Sequence, residues 1–155
     1  MTTICAFGRR ATPAIIAWAL FATIGSGAEV KLRGENLVPN GGFEAVDAGT
    51  GFAEGWEGFF SPDWGECAGR ARLSTEQPHG GRRCVEISDV TNRYAVGAER
   101  LAIEPEKAYL LRGWIRTDLR GGEEAYIVAS WFSDDNWLSL QQTRGVRGVR
   151  PWHGV

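Results

Sequence analysis

The sequence predicts an all-β chain, and three observations carry that expectation. Glycine makes up 21 of the 155 residues, about twice the ordinary ~7%. Seven Trp, seven Phe and three Tyr are spread along the chain. After residue 28, apolar residues alternate in short runs broken by Gly, Pro, Asn and Asp, and no run keeps a helical period.

The first 28 residues are set apart from this pattern. Arg9 and Arg10 give a positive flank, residues 14–24 are apolar, and Ser26-Gly27-Ala28 is the small-residue pattern of a cleavage site. About a dozen apolar residues fall short of the ~20 that a membrane span needs. The expectation is a helical signal peptide over 1–28, cleaved near Ala28, and a secreted or periplasmic product with no membrane partner. Without Arg9 and Arg10 the 17 basic residues become 15 against 19 acidic, a net charge of −4. A mildly acidic chain without a basic block argues against nucleic acid. About 127 residues remain, enough for one domain with its own core.

Residues 29–35 are a polar lead-in. Residues 36–44, N-L-V-P-N-G-G-F-E, predict the start of an edge strand, because Pro39 is tolerated only at an edge. Asn40-Gly41-Gly42 then offers positive φ for a turn. Glu44 beside glycine-freed carbonyls is the kind of oxygen cluster that a hard cation such as Ca²⁺ uses. Residues 45–55 read as a loop. Trp56, Phe59, Phe60 and Trp64 crowd nine residues and are expected to seal one end of the core.

Strands are expected over 67–73, with Ala71 and Leu73 inward, and over 82–89, with Val85 and Ile87 inward, joined by turn residues 74–81. That pairing sets Cys84 opposite about Ala71, some 13 Å along the strand from Cys67, so two separate buried thiols are expected, with a Cys67–Cys84 bridge as the alternative. Residues 93–103 return as a strand, and 104–107 form a polar turn. In the strand expected over 109–118, Tyr109, Leu111, Gly113 and Ile115 share the core face. Arg112, Trp114 and Arg116 share the other. Antiparallel sheets usually keep one face wet, so alternation alone nominates Trp114 as an exposed aromatic. A further strand is expected over 125–132, a polar loop over 133–136, and an Arg/Gly-rich stretch beyond Gln141.

The opening 36–44 with the later G-W-E-G-F-F resembles carbohydrate-binding modules of families 4 and 9. Four landmarks follow in the same order: H-G-G-R-R-C-V-E-I at 79–87, Pro105 to Tyr109, Y-L-L-R-G-W-I-R-T-D at 109–118, and the strand 125–132. The resemblance spans residues 36–155. It implies a galactose-binding-like jelly-roll β-sandwich that binds extracellular polysaccharide or oligosaccharide and often accompanies a glycosidase. It nominates Tyr94 as the leading sugar-stacking aromatic, with Trp131 and Trp137 as partners. It implies a structural Ca²⁺ held by the Glu44 side chain and the Arg82 carbonyl. Two departures stand out: His79 lies where some relatives carry an acidic ligand, and a late Asp ligand is missing. In the family further strands follow, so a sandwich lacking its last strand or strands is expected.

No nucleophile elbow, zinc motif, P-loop or dinucleotide fingerprint occurs. His79 and His153 are the two histidines, and Glu123-Glu124 and Asp134-Asp135 fall in turns rather than facing one another. The expectation is therefore a non-catalytic binder. Two alternatives stay open: the front piece of a longer secreted glycoside hydrolase with a C-terminal catalytic domain, and an extracellular interaction sandwich without sugar specificity.

Overall fold

A computed structural model of the chain describes residues 2–9, 34, 36–59 and 65–155. Within them the chain is all-β. The strands are β1 (Thr2–Arg9), β2 (Trp56–Phe59), β3 (Ala68–Ser74), β4 (Cys84–Thr91), β5 (Tyr94–Ala102), β6 (Trp114–Asp118), β7 (Glu124–Ser133), β8 (Asn136–Gln142), β9 (Val146–Arg147) and β10 (Val149–Gly154). No helix among the described residues is long and apolar enough to cross a membrane.

Three sheets form. The largest runs in the order β2-β5-β1-β7-β8, with β9 also paired to β7. The other two are ribbons, β3 with β4 and β6 with β10. β1 lies between β5 and β7 and is parallel to both, from Thr2 beside Tyr94 and Ala125 to Arg9 beside Ala102 and Phe132. Residues 2–9, the front of the expected signal peptide, are extended. The apolar run 14–24 and the cleavage pattern before Ala28 lie outside the described residues, as do Phe60 and Trp64.

Hydrophobic burial fixes how the ribbons sit. Ala71, Leu73, Val85 and Ile87 point from the β3–β4 ribbon onto a core of Ala53, Trp56, Tyr94, Val96 and Ala98. The inward set expected for both strands is the one observed. The β6–β10 ribbon places Ile115 against Ala125, Ile127 and Val146, with Leu111, Leu119 and Val155 around them. A fully buried side chain such as Val96 contributes roughly 1.5–3 kcal/mol. The two ribbons thus cover neighbouring parts of the large sheet and leave a cleft between β4 and β6–β10.

Residues 36–44 form a turn and not an edge strand. The Asn40 side-chain nitrogen donates to the carbonyls of Ala45 (2.9 Å) and Glu54 (3.0 Å), and its oxygen accepts from the Ala45 N–H (2.9 Å). These bonds replace the ladder a strand would have used. Positive φ falls on Asn40 (49°) and Phe43 (61°) rather than on Gly41 or Gly42. Phe43 holds this uncommon conformation while its ring packs edge-on against Trp56, with centroids 4.9 Å apart. Trp56 Nε1 donates to the Pro39 carbonyl at 3.2 Å.

The strand expected over 109–118 is regular only from Trp114. The Tyr109 hydroxyl accepts from the Glu104 N–H at 2.8 Å and so folds back on the preceding turn. Tyr109 (38%) and Leu110 (57%) are exposed accordingly. Cys84 pairs with Ser74 rather than Ala71, because the chain reverses later than expected, over the loop 75–83. Cys84 and Cys67 are not bridged to one another.

Candidate functional site

The cleft is built from the β3–β4 loop upward. Ser74 Oγ accepts the Glu76 N–H at 3.1 Å, starting the turn. Gln77 (φ 50°) and Gly81 (φ 65°) supply its left-handed residues. Glycine is required at 81, since a Cβ there would also lie 3.0 Å from the Glu44 carboxyl carbon. That gap lets Glu44 Oε1 accept the Arg82 N–H (2.7 Å) and the Arg83 N–H (3.1 Å), while Arg83 donates to the Glu44 carbonyl at 2.9 Å. The opening turn and the β3–β4 loop are thereby tied together.

A second set of bonds ties the loop to the β6–β10 ribbon. Trp152 Nε1 donates to the Gln77 carbonyl at 2.8 Å. The Arg116 guanidinium donates to Gln77 Oε1, reaches the Glu76 carbonyl at 3.5 Å, and lies over the Trp152 ring, 5.6 Å from its centroid. His79, at the loop tip, stacks on Trp114 with centroids 3.9 Å apart and planes 17° from parallel, and meets Trp152 edge-on at 5.7 Å. Trp114 pairs with Gly154 across the ribbon, where there is no side chain to cover the indole.

The result is an aromatic wall of Trp114, Trp152 and His79. Trp114 and Trp152 border a cleft of about 610 Å³ whose other lining includes Cys84, Glu86, Ile87, Arg116, Asp118 and Arg150. A smaller recess of about 350 Å³ continues past His79 to Arg112 and Asn36. Trp114 is 52% exposed although His79 is stacked on it. Burial pushes the Cys84 thiol up, so it stays protonated and is a packing group rather than a nucleophile.

The nominated residues separate into distinct places. Trp114 is in the cleft, exposed as strand alternation predicts. Its partner is His79, not a neighbouring arginine. Tyr94 is 7% exposed and lies in the core; a Cβ at Gly69 would fall 2.6 Å from its ring. Trp131 is half-buried on β7 opposite Ser139, and Trp137 is 58% exposed on β8 opposite Phe132. Both belong to the large sheet, away from the aromatic wall. Beside them Arg100 bonds Asp135 at 2.8 Å and lies over Phe132. Sequence reasoning missed Trp152 as a site residue; the signal for it was a Trp in a short alternating run, V-R-P-W-H-G.

Glu44 and Arg82 are brought together, but through N–H donors. The Glu44 carboxyl sits below its ordinary range chiefly because of the Arg82 N–H, with the Arg83 N–H and the Arg82 side chain adding to it against some burial. A Ca²⁺ ion needs six to eight oxygens, whereas this carboxylate already faces amides and a guanidinium. No group of three or more His, Cys, Asp or Glu that could hold a metal occurs among the described residues. As arranged, these residues do not fit a calcium site.

Compared with protein-family models, curated proteins and solved structures, the chain matches none.

Proposed function

We propose that this chain is a non-catalytic module that binds extracellular polysaccharide in the cleft between the β3–β4 and β6–β10 ribbons, on a sandwich of the jelly-roll type. One observation carries the reading: an indole about half exposed, Trp114, stands at a cleft beside Trp152 and is ringed by polar groups. Sugar rings present apolar C–H faces that flat aromatics cover, while neighbouring side chains bond the hydroxyls. Arg116 and Glu86, which line the cleft, are placed to do the latter. The likeness of residues 36–155 to carbohydrate-binding modules of families 4 and 9 supports the same reading. The stacking role passes from Tyr94 to Trp114, because only the latter meets solvent.

The test is a glycan array of neutral and charged polysaccharides, followed by titration of the best ligand. An aromatic–sugar stack contributes on the order of 1–2 kcal/mol, comparable to an aromatic pair. Trp114→Ala should therefore weaken binding about tenfold with the fold intact by circular dichroism. Unchanged affinity would remove the cleft from the account.

A further inference from the structure

We infer that the polysaccharide this cleft takes is anionic, a polymer of sugars bearing carboxylate groups. The inference rests on the carbohydrate reading above and adds the charge of the ligand.

The argument is one of unbalanced cations. Four charged side chains line the main cleft: Glu86, Arg116, Asp118 and Arg150. Both acids are already neutralised. Glu86 pairs with Arg72 at 2.8 Å and Asp118 with Arg120 at 2.8 Å. Arg116 is held by neutral acceptors, the Gln77 amide oxygen and the Glu76 carbonyl. In the adjoining recess Arg83 is paired with Glu44, and Arg112 lines the wall beside His79. Among the described residues no carboxylate pairs with Arg112, Arg116 or Arg150. Three guanidiniums therefore border the aromatic wall with their charge uncompensated, on a chain whose net charge is −2.

The spacing suits a sugar acid. Trp114 and Arg116 alternate on β6, so at about 3.3 Å per residue Arg116 starts roughly 7 Å from the indole. Arg112 precedes the strand and lines the recess that Trp114 and His79 share, so a ring stacked on Trp114 meets guanidiniums from both the cleft and the recess. The planar fork of arginine matches a carboxylate through two parallel hydrogen bonds. A neutral glycan would leave these charges to water and gain only the stack. Attraction concentrated in a recess also adds to binding more than the same charges on an open face.

The experiment titrates the full-length chain with polygalacturonate, with the same polymer after carboxyl reduction, with a neutral β-glucan and with a sulfated glycan. Polygalacturonate should bind at least about tenfold more tightly than its reduced form, and added salt should narrow the gap. Arg150→Gln, at an exposed position, should erode that preference, read as a smaller ratio between affinities for the charged and the reduced polymer. Arg116→Gln serves as a second variant if it folds. Equal binding of the charged and reduced polymers overturns the inference but leaves the carbohydrate reading standing. Binding of the sulfated glycan alone overturns the choice of carboxylate. Failure of every glycan to bind overturns both.

Discussion

The indole Nε1 of Trp152 donates to the backbone carbonyl of Gln77, 75 residues away in sequence, at 2.8 Å. This bond joins the β3–β4 loop to β10 and sets the width of the cleft. It also explains why His79, two residues along the loop, lands on Trp114. Trp152→Phe keeps a ring against His79 and Arg116 but removes the donor. It should cost about 0.5–1.5 kcal/mol in urea denaturation. It should also loosen the His79–Trp114 stack, read as a change in Trp fluorescence. A variant as stable as the parent would show that the loop is held by Arg116 and Glu44 instead.

Two glycines separate steric demand from simple tolerance. A Cβ at Gly69 would lie 2.6 Å and 2.8 Å from atoms of the Tyr94 ring and Cβ, whereas at Gly80 nothing lies within 4 Å. Gly69→Ala should destabilise by roughly 1–3 kcal/mol, because a buried ring must leave its rotamer or the ribbon must lift. Gly80→Ala should change stability by no more than about 0.5 kcal/mol. The paired thermal melts test whether Tyr94 is a core residue rather than a surface stacker.

Strand existence and inward faces were legible in the sequence because alternation reports burial directly. Ala71, Leu73, Val85, Ile87 and Ile115 fall where a period of two puts them, and Trp114 comes out exposed by the same rule. Turn chemistry was legible in kind but not in detail. Nothing local in N-L-V-P-N-G-G-F-E says that Asn40 will bond Glu54, 14 residues on, and so suppress a strand. The register of Cys84 depended on where the loop over 75–83 reverses, which the alternation of the flanking strands does not report. The wall of Trp114, Trp152 and His79 is assembled from three separate segments, and pairing between distant segments leaves no periodic trace in any of them.

Acid should weaken the fold partly through Glu44. Its folded value is lowered from the ordinary 4.5, first by the Arg82 N–H, so the folded chain holds the Glu44 proton less tightly than the unfolded chain. The stabilisation is complete above the unfolded value and is lost as pH falls through the folded one. Urea melts of the parent and Glu44→Gln should therefore differ near neutral pH and converge as the pH falls below the ordinary glutamate value of 4.5. A constant difference down to low pH would show that the carboxylate charge contributes nothing.

Calcium should leave the melting curve unmoved. With Glu44 Oε1 committed to two N–H donors and Oε2 facing the Arg82 guanidinium at 3.5 Å, a cation would have to displace an ion pair and find its other oxygens elsewhere. Melts in millimolar calcium and in chelator are expected to coincide. A ligand that binds only the folded state at 100 times its Kd would add about 2.7 kcal/mol, so a real site would show as a clear upward shift.

The N-terminal strand gives the sharpest expectation. β1 is hydrogen-bonded to β5 on one side and β7 on the other, parallel to both. A chain without residues 1–28 would leave the facing edges of β5 and β7 without that partner. They carry much of the core, including Tyr94, Val96, Ala98, Ala125 and Ile127, so they cannot separate into water without exposing it. Unpaired edges of this length invite a strand from another molecule. The shortened chain should therefore self-associate in sedimentation velocity, in proportion to its concentration, and lose cooperativity in urea. A synthetic peptide of residues 2–9 supplied in excess should reverse both effects by refilling the slot. A shortened chain that stays monomeric and unfolds in one cooperative step would show that β5 and β7 close on each other directly and that β1 is dispensable to the sheet.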